Sequence, residues 1–172
     1  KGGSYRKWYG NLDYVVDWYD NGAHIRKAAE GASGGRIVGS EYYFKEGLTW
    51  SDITSGGNIS VRYMPSGMIF NSSAPSAFVY ESKNLYYIKG FMNSVVAKNY
   101  LRFLAPSYHF NAGAIEKLPL ILSDKYYSDI SKMVNLNMIK SKEDWDSFET
   151  SWDFLTHPLV LATCVPDLNG GH

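Results

Sequence analysis

The sequence opens with a cationic and aromatic stretch, KGGSYRKWYGN, in which Arg6 and Lys7 stand beside Trp8 and Tyr9 between glycines. Arginine and lysine can contact phosphates or fork onto guanine, and glycine lets a backbone approach a ligand closely. Aromatic rings can instead stack on sugars or on unpaired bases. The stretch therefore predicts a binding surface, unless its aromatics only pin the segment to the core.

Three later stretches combine the same residue types: FKEGLTWSDITSGG, VRY and FNSSAPS. Asparagine suits adenine, and serine or threonine suits either base type, so these stretches fit the reading of duplex DNA. The rings of Trp8, Tyr9, Trp18 and Trp50 equally suit a carbohydrate-binding module, and a protein-binding module remains a further alternative. The residues alone leave these functions open.

Catalytic patterns are absent from the sequence. His24, His109, His157 and His172 show no metal-ligand spacing among themselves or with Cys164, so we expect no metal site. No nucleophile elbow, phosphate loop or dinucleotide fingerprint occurs. Four carboxylates offer a glycosidase pair only at the frequency of any protein surface: Glu41, Glu46, Asp52 and Glu81.

Composition bounds the protein class. The chain has 172 residues, 45% of them hydrophobic and 16% aromatic, which fits one folded domain with a short appendage. It shows neither a membrane-spanning run nor a signal peptide, and its single cysteine fits a reducing compartment, so we expect a cytoplasmic protein without membrane partners. Because the first residue is Lys1, we expect it to be part of something longer.

Charge is distributed unevenly along the chain. Residues 1–120 hold thirteen Lys and Arg against nine Asp and Glu, whereas residues 121–172 hold four against eight. A mildly basic part is compatible with polyanion binding on one face. We expect the acidic end to pack against protein and not to contact DNA.

The spacing of apolar residues, which predicts the secondary structure, changes along the chain. Residues 13–19 and 41–44 read as strands, and residues 58–71 as two strands joined by a turn. Apolar residues recur at helical spacing over residues 84–104 and again after Ser123, with a further capping box from Ser141 to Asp144. The fold class is therefore α/β of the mixed α+β kind: a β-rich domain over 1–121 covered by helix 84–104, an acidic helical segment over 122–152, and a tail over 153–172.

Several blocks in one order carry a family resemblance: GGSYRKWYGN, EYYFKEGLTWS, SVRYMPSGMIF, LYYIKGFMNSVVA, FNAGAIEKLPL and DWDSFETSWDF. Together they resemble the C-terminal target-recognition region of the PglX-type DNA adenine methyltransferases of BREX phage-defence systems. The match covers about residues 2 to 159. More distantly, the chain is similar to the specificity domains of type I and type IIG restriction-modification enzymes.

The resemblance implies a division of labour. In that superfamily this domain reads duplex DNA, while a separate N-terminal domain binds S-adenosylmethionine and flips the adenine for methylation. The N-P-P-Y signature and the F-x-G-x-G cofactor motif are absent, and FNAGA does not match the latter. We therefore expect a non-catalytic fragment that holds no cofactor and has no catalytic residue.

The resemblance turns the candidate stretches into three groups of expected DNA contacts. The first group is Ser4, Tyr5, Arg6, Lys7, Trp8 and Tyr9. The second is Lys45, Thr49, Trp50 and Ser51. The third is Arg62, Asn71, Ser72 and Ser73. The expected partners are double-stranded DNA, the N-terminal methyltransferase domain, other phage-defence proteins and a second copy of the fragment.

Overall fold

The computed structural model of the protein describes residues 2–32, 37–54 and 56–163. These hold six α-helices, three strands and two 3₁₀ turns. In chain order they are α1 (Tyr19–Gly31), a 3₁₀ turn (Ser40–Tyr42), β1 (Gly47–Thr49), β2 (Arg62–Met64), β3 (Ser76–Ala77), a second 3₁₀ turn (Ser82–Asn84), α2 (Leu85–Met92), α3 (Val95–Leu104), α4 (Ala112–Ile115), α5 (Asp124–Asp146) and α6 (Pro158–Thr163).

The strands form one small antiparallel sheet in the order β2-β1-β3. Strand β1 pairs on one side with β2, so that Thr49 lies opposite Arg62, and on the other side with β3, so that Leu48 lies opposite Ala77. Gly47 is required at the start of β1, because a Cβ there would lie 2.8 Å from the carbonyl oxygen of Ala77. The mixed α+β class is confirmed, but of the two strands predicted over residues 58–71 only β2 exists, because the chain after it stays irregular until β3.

One hydrophobic core joins the sheet to the helices behind it. Leu48 and Val61 from the sheet region are fully buried and share this core with Met92 of α2 and Leu101 of α3. Phe110 and Ala114 close the far side. Because three short strands bury little surface alone, the helices supply most of the apolar cover that stabilises the sheet.

The predicted single helix over 84–104 is wrong in one respect, because it is two helices. Helix α2 ends at Met92, and α3 begins after Ser94, whose hydroxyl accepts a hydrogen bond from Ala97 N at 3.2 Å. This N-cap satisfies one of the free amides of the first turn of α3. The break turns the chain at Asn93, a residue that is buried between the helices and the sheet.

Helix α5 packs across α2. A Cβ on Gly90 would lie 2.8 Å from Val134 Cγ2 and 3.2 Å from Ile130 Cγ2, so the two helices approach closely at this point. The predicted capping box at Ser141 is wrong, because α5 runs unbroken to Asp146. The division into 1–121 and 122–152 stays a prediction, and residues 164–172 of the predicted tail lie outside the described ranges.

The predicted strands over 13–19 and 41–44 are also wrong. Val15 and Val16 are exposed and lie outside the three strands that the structure describes, and α1 begins at Tyr19. Its first residues include Gly22 at φ 71°, packed beneath the ring of Trp18. Residues 40–42 form the first 3₁₀ turn instead of a strand. β-branched residues form strands only where a partner edge is available.

No helix within the described ranges is both long and apolar enough to cross a membrane.

Candidate nucleic-acid interface

The opening stretch is held against the edge of the sheet. Trp8 N donates to the carbonyl of Val61 at 3.0 Å, and Tyr63 N donates to the carbonyl of Trp8 at 2.8 Å. These two bonds make a one-residue parallel bridge beside β2. The stretch therefore gains fixed backbone pairing, even though its glycines prevent a regular strand.

Arg6 is paired within the chain. Its Nη1 donates to Asp144 Oδ2 at 2.8 Å, and its guanidinium lies 5.1 Å from the centre of the Trp145 ring. Both partners belong to the C-terminal end of α5. Only 24% of the Arg6 side chain is exposed, so a phosphate would have to compete with Asp144 for this cation.

Lys7 has a different environment, because its charged neighbour is another cation. Its Nζ donates to the carbonyl of Asn93 at 3.0 Å, just before α3 begins. Burial lowers the pKa of Lys7, and the positive charge of Lys98 on α3 lowers it further. Lys7 and Lys98 together make a local positive site that an anion would stabilise; we call them the lysine pair.

The rest of the first group splits between surface and core. Ser4 and Tyr5 are exposed, Trp8 is half-buried, and Tyr9 is buried. Ser141 anchors this segment, since its hydroxyl lies 2.9 Å from the carbonyl of Lys7 and 3.3 Å from that of Tyr9. The interpretation that aromatics pin the stretch therefore describes Tyr9 well.

Most of the second group is buried. Trp50 is 1% exposed and its indole Nε1 donates to the carbonyl of Phe110 at 2.6 Å. The Thr49 hydroxyl donates to the carbonyl of Pro75 at 3.1 Å, and Ser51 exchanges hydrogen bonds with the backbone of Gly3. Lys45 is exposed, with its Nζ 5.1 Å from the centre of the Tyr42 ring. Of the four residues in the second group, only Lys45 has a side chain that is exposed to a ligand.

The third group is also divided. Arg62 is 1% exposed, so its guanidinium does not reach the surface. Asn71, Ser72 and Ser73 are exposed on the loop before β3. The expected grouping of Arg62 with these three residues on one surface is therefore corrected by the structure: the strand buries the arginine, and the loop exposes the rest.

A cleft of about 320 Å³ brings together parts of the second and third groups and the two glycines that precede the first. Its lining consists of Gly2, Gly3, Ser51, Asp52, Ile53, Ser72 and Ser73. The backbone bond from Asp52 N to the carbonyl of Ser73, 3.2 Å long, fixes one wall against the other. The cleft thus offers the hydroxyls of Ser72 and Ser73 and the exposed backbone of Gly3, both of which can contact base edges or phosphates.

Lys98 is not among the DNA contacts that the sequence predicts. Apolar residues recur at helical spacing throughout residues 84–104, so the pattern predicts one helix. It gives no sign of the break at Asn93 and Ser94 or of the start of α3 near Lys98. The pair "NS" after a completed helical stripe was the available signal, because Asn and Ser favour helix ends.

The aromatic rings proposed for sugar stacking do not form an open platform. Tyr9 and Trp50 are buried. Trp18 contacts Tyr43 and Phe44 edge to face, with centroids 5.2 and 5.9 Å away. In the ranges that the structure describes, no group of three or more His, Cys, Asp or Glu residues is placed to hold a metal ion.

Comparison with known proteins finds two similar enzymes. No known protein-family profile matches the chain. It is 36% identical over 164 residues to the adenine-specific methyltransferase PglX of Lacticaseibacillus casei (strain Zhang), and 32% identical over 162 residues to the adenine-specific methyltransferase BrxX of Escherichia coli O9:H4 (strain HS). The chain is similar to a segment of adenine-specific methyltransferases.

Each match covers 93% of this chain but only 13% of the PglX or BrxX length. The resemblance to PglX-type adenine methyltransferases is thereby confirmed as similarity to one segment of such enzymes. Its finer content, the recognition of DNA, is the subject of the proposal below.

Proposed function

We propose that the chain is a double-stranded DNA recognition segment of an S-adenosylmethionine-dependent, adenine-specific DNA methyltransferase that acts in phage defence. The similarity to PglX and BrxX over nearly the whole chain supports the enzyme class. The observation that carries the DNA role is the placement of the lysine pair: Lys7 Nζ is held on the carbonyl of Asn93, 3.0 Å away, just before the helix that carries Lys98.

The lysine pair is the proposed phosphate contact. Like charges held near each other repel, and a bound phosphate relieves that repulsion while releasing its own counterions. Arg6 is a weaker candidate than Lys7, because Asp144 already neutralises it. Ser4 and Tyr5, exposed on the same stretch, are proposed to add contacts to the DNA backbone.

The cleft is the proposed place for contacts to base edges. Asn71, Ser72 and Ser73 are exposed on its loop, and amide and hydroxyl groups can pair with adenine or with either base type. Lys45 is proposed as a further backbone contact. Thr49, Trp50 and Ser51 are buried, so in this proposal they support the loops and do not themselves contact DNA.

Cofactor binding and methyl transfer belong, in this proposal, to other parts of the parent enzyme. The acidic helix α5 packs against α2 and is proposed to face protein and not DNA. The chain by itself should transfer no methyl group from S-adenosylmethionine to duplex DNA. A rate above the protein-free background would overturn this division of labour.

A salt titration tests the DNA role. The affinity of the chain for an arbitrary duplex, followed by fluorescence anisotropy, should fall steeply as salt increases. Replacing the lysine pair by methionine (Lys7→Met with Lys98→Met) keeps the aliphatic stems and should reduce the slope of log affinity against log salt by about 2, since roughly one counterion is released for each lost contact.

The matched control is a double variant of α5, Lys132→Met with Lys140→Met, which removes two exposed lysines from the acidic segment. Its affinity and salt slope should equal those of the unaltered chain. Absence of binding at low salt would contradict the function. Binding that both double variants leave unchanged would contradict the lysine pair as its contact.

A further inference from the structure

Arg62 is a buried cation with no counter-ion among the residues that the structure describes. The residue begins β2 and is 1% exposed, and its Nε, Nη1 and Nη2 atoms are all buried with no hydrogen-bond partner among the described residues. Burial lowers the pKa of Arg62 to about 10, so the guanidinium stays charged at neutral pH. A guanidinium presents five N–H donors, and a buried donor without an acceptor is strongly unfavourable.

This side chain lines a small pocket, which we call the Arg62 pocket. Its volume is about 60 Å³, and its inner wall includes Thr49, Met64 and Ala74. The Thr49 hydroxyl is already donated to the carbonyl of Pro75. The described residues that line the pocket include no Asp or Glu, so no acidic side chain of the lining pairs with the arginine.

The pocket reaches the surface through an apolar rim. Met68, Ile69 and Phe70 are half-buried in its lining, which also includes Leu12 and the exposed Tyr14. A ligand would therefore pass apolar side chains before it meets the guanidinium. An apolar entrance that leads to a buried cation suits a ligand with a negatively charged head group on an apolar stem.

The shape and charge of the site select among anions. A carboxylate is planar, carries one negative charge and accepts two parallel hydrogen bonds from an arginine fork. A phosphate dianion would leave one negative charge uncompensated inside the protein. A DNA phosphodiester has the right charge, but its two sugar substituents do not fit a volume of about 60 Å³.

We propose that the Arg62 pocket binds a carboxylate group carried on a short apolar stem. The group is either the side chain of a Glu or Asp in another protein segment or a free small organic acid. This proposal does not rest on the proposed DNA surface, because neither lysine of the pair lines the Arg62 pocket.

The test is thermal unfolding of the 172-residue chain in sodium butyrate, in the capped glutamate N-acetyl-glutamic acid α-amide, in sodium phosphate, and in sodium chloride at matched ionic strength. At a carboxylate concentration about tenfold above Kd, Tm should rise by about 3–6 °C over its value in chloride. Phosphate should give a smaller shift. The shift should vanish in Arg62→Met and persist in Arg102→Met, which removes an exposed arginine on α3.

Two results within this scheme identify the source of the carboxylate. A larger shift with capped glutamate than with butyrate indicates a protein side chain, and the reverse indicates a free organic acid. Equal Tm in carboxylate and chloride would overturn the proposal, as would a carboxylate shift of the same size in Arg62→Met.

A second measurement covers an Arg62→Met variant that fails to fold. The side-chain ¹⁵Nε resonance of Arg62 in the unaltered chain should move saturably as butyrate is added, and the resonances of Arg26 and Arg102 should not. An Arg62 resonance that stays fixed over the titration would refute binding at this pocket.

Discussion

Asn93 satisfies the backbone of Val61 through both ends of its side-chain amide. Val61 N donates to Asn93 Oδ1 at 3.0 Å, and Asn93 Nδ2 donates to the carbonyl of Val61 at 2.9 Å. Both residues are buried. The residue that separates α2 from α3 thus acts as a pairing partner for the chain entering β2, so the helix break and the sheet edge form one unit.

Asn93→Ala should destabilise the chain by about 2–4 kcal/mol, because the buried Val61 N–H loses its acceptor and the carbonyl loses one of its donors. Asn99→Ala, at an exposed position on α3, is the matched control and should cost less than about 0.5 kcal/mol. Urea unfolding at 25 °C gives both values. Equal stability of the two variants would show that the amide contributes little.

Gly90→Ala should weaken the packing of α5 on α2. The added methyl would meet Val134 and Ile130, whose β-branched side chains have few alternative rotamers. We expect a loss of about 1–3 kcal/mol despite the better helix propensity of alanine.

Gly31→Ala at the last residue of α1 provides the comparison for Gly90, since no heavy atom lies within 4 Å of its added Cβ. It should leave stability unchanged or raise it slightly in urea unfolding. A Gly90→Ala variant as stable as Gly31→Ala would mean that the two helices can separate without cost.

Lys89 should make stability depend on pH. It is fully buried, with Nζ over the rings of Tyr63 and Tyr86 at 5.3 and 4.9 Å. Burial lowers the pKa of Lys89 from 10.5 to about 8, although the negative charge of Glu46 acts in the opposite direction. Between these values the unfolded chain binds more protons than the folded chain, so the Lys89 contribution rises with pH.

Below pH 8 the cost of charging Lys89 is fully present, and it amounts to about 3 kcal/mol. The difference in unfolding free energy between the unaltered chain and Lys89→Met should therefore shift in favour of the unaltered chain from pH 7 to pH 10. Lys132→Met, at an exposed position on α5, should show no such shift. Parallel pH profiles for the unaltered chain and Lys89→Met would contradict the prediction.

Trp50→Phe should affect stability and not DNA contacts. Loss of the indole bond to Phe110 and of buried volume should cost about 2–4 kcal/mol. Trp152→Phe removes a comparable bond, from Nε1 to the carbonyl of Leu12, at a residue that is 69% exposed, and should cost less than about 1 kcal/mol.

The salt slope of DNA binding should be the same for Trp50→Phe as for the unaltered chain, measured where both are folded. A reduced salt slope for Trp50→Phe would indicate that Trp50 takes part in DNA binding.

The sequence by itself determined the mixed α+β class, because apolar spacing reports the faces that must be buried. The stripe over residues 84–104 and the spacing after Ser123 predicted helices that exist. The ordered blocks from residue 2 to 159 also predicted the enzyme class to which the relatives belong.

Only the tertiary structure decided which cations are available. Arg6 pairs with Asp144, 138 residues away along the chain, whereas Lys7 donates to the carbonyl of Asn93 just before the helix that carries Lys98, and no local pattern distinguishes these outcomes. Arg62 is buried because β2 pairs with β1 in a register that sets it opposite Thr49. A charge depends on neighbours brought together by folding, so residue type alone could nominate these side chains but not assign their partners.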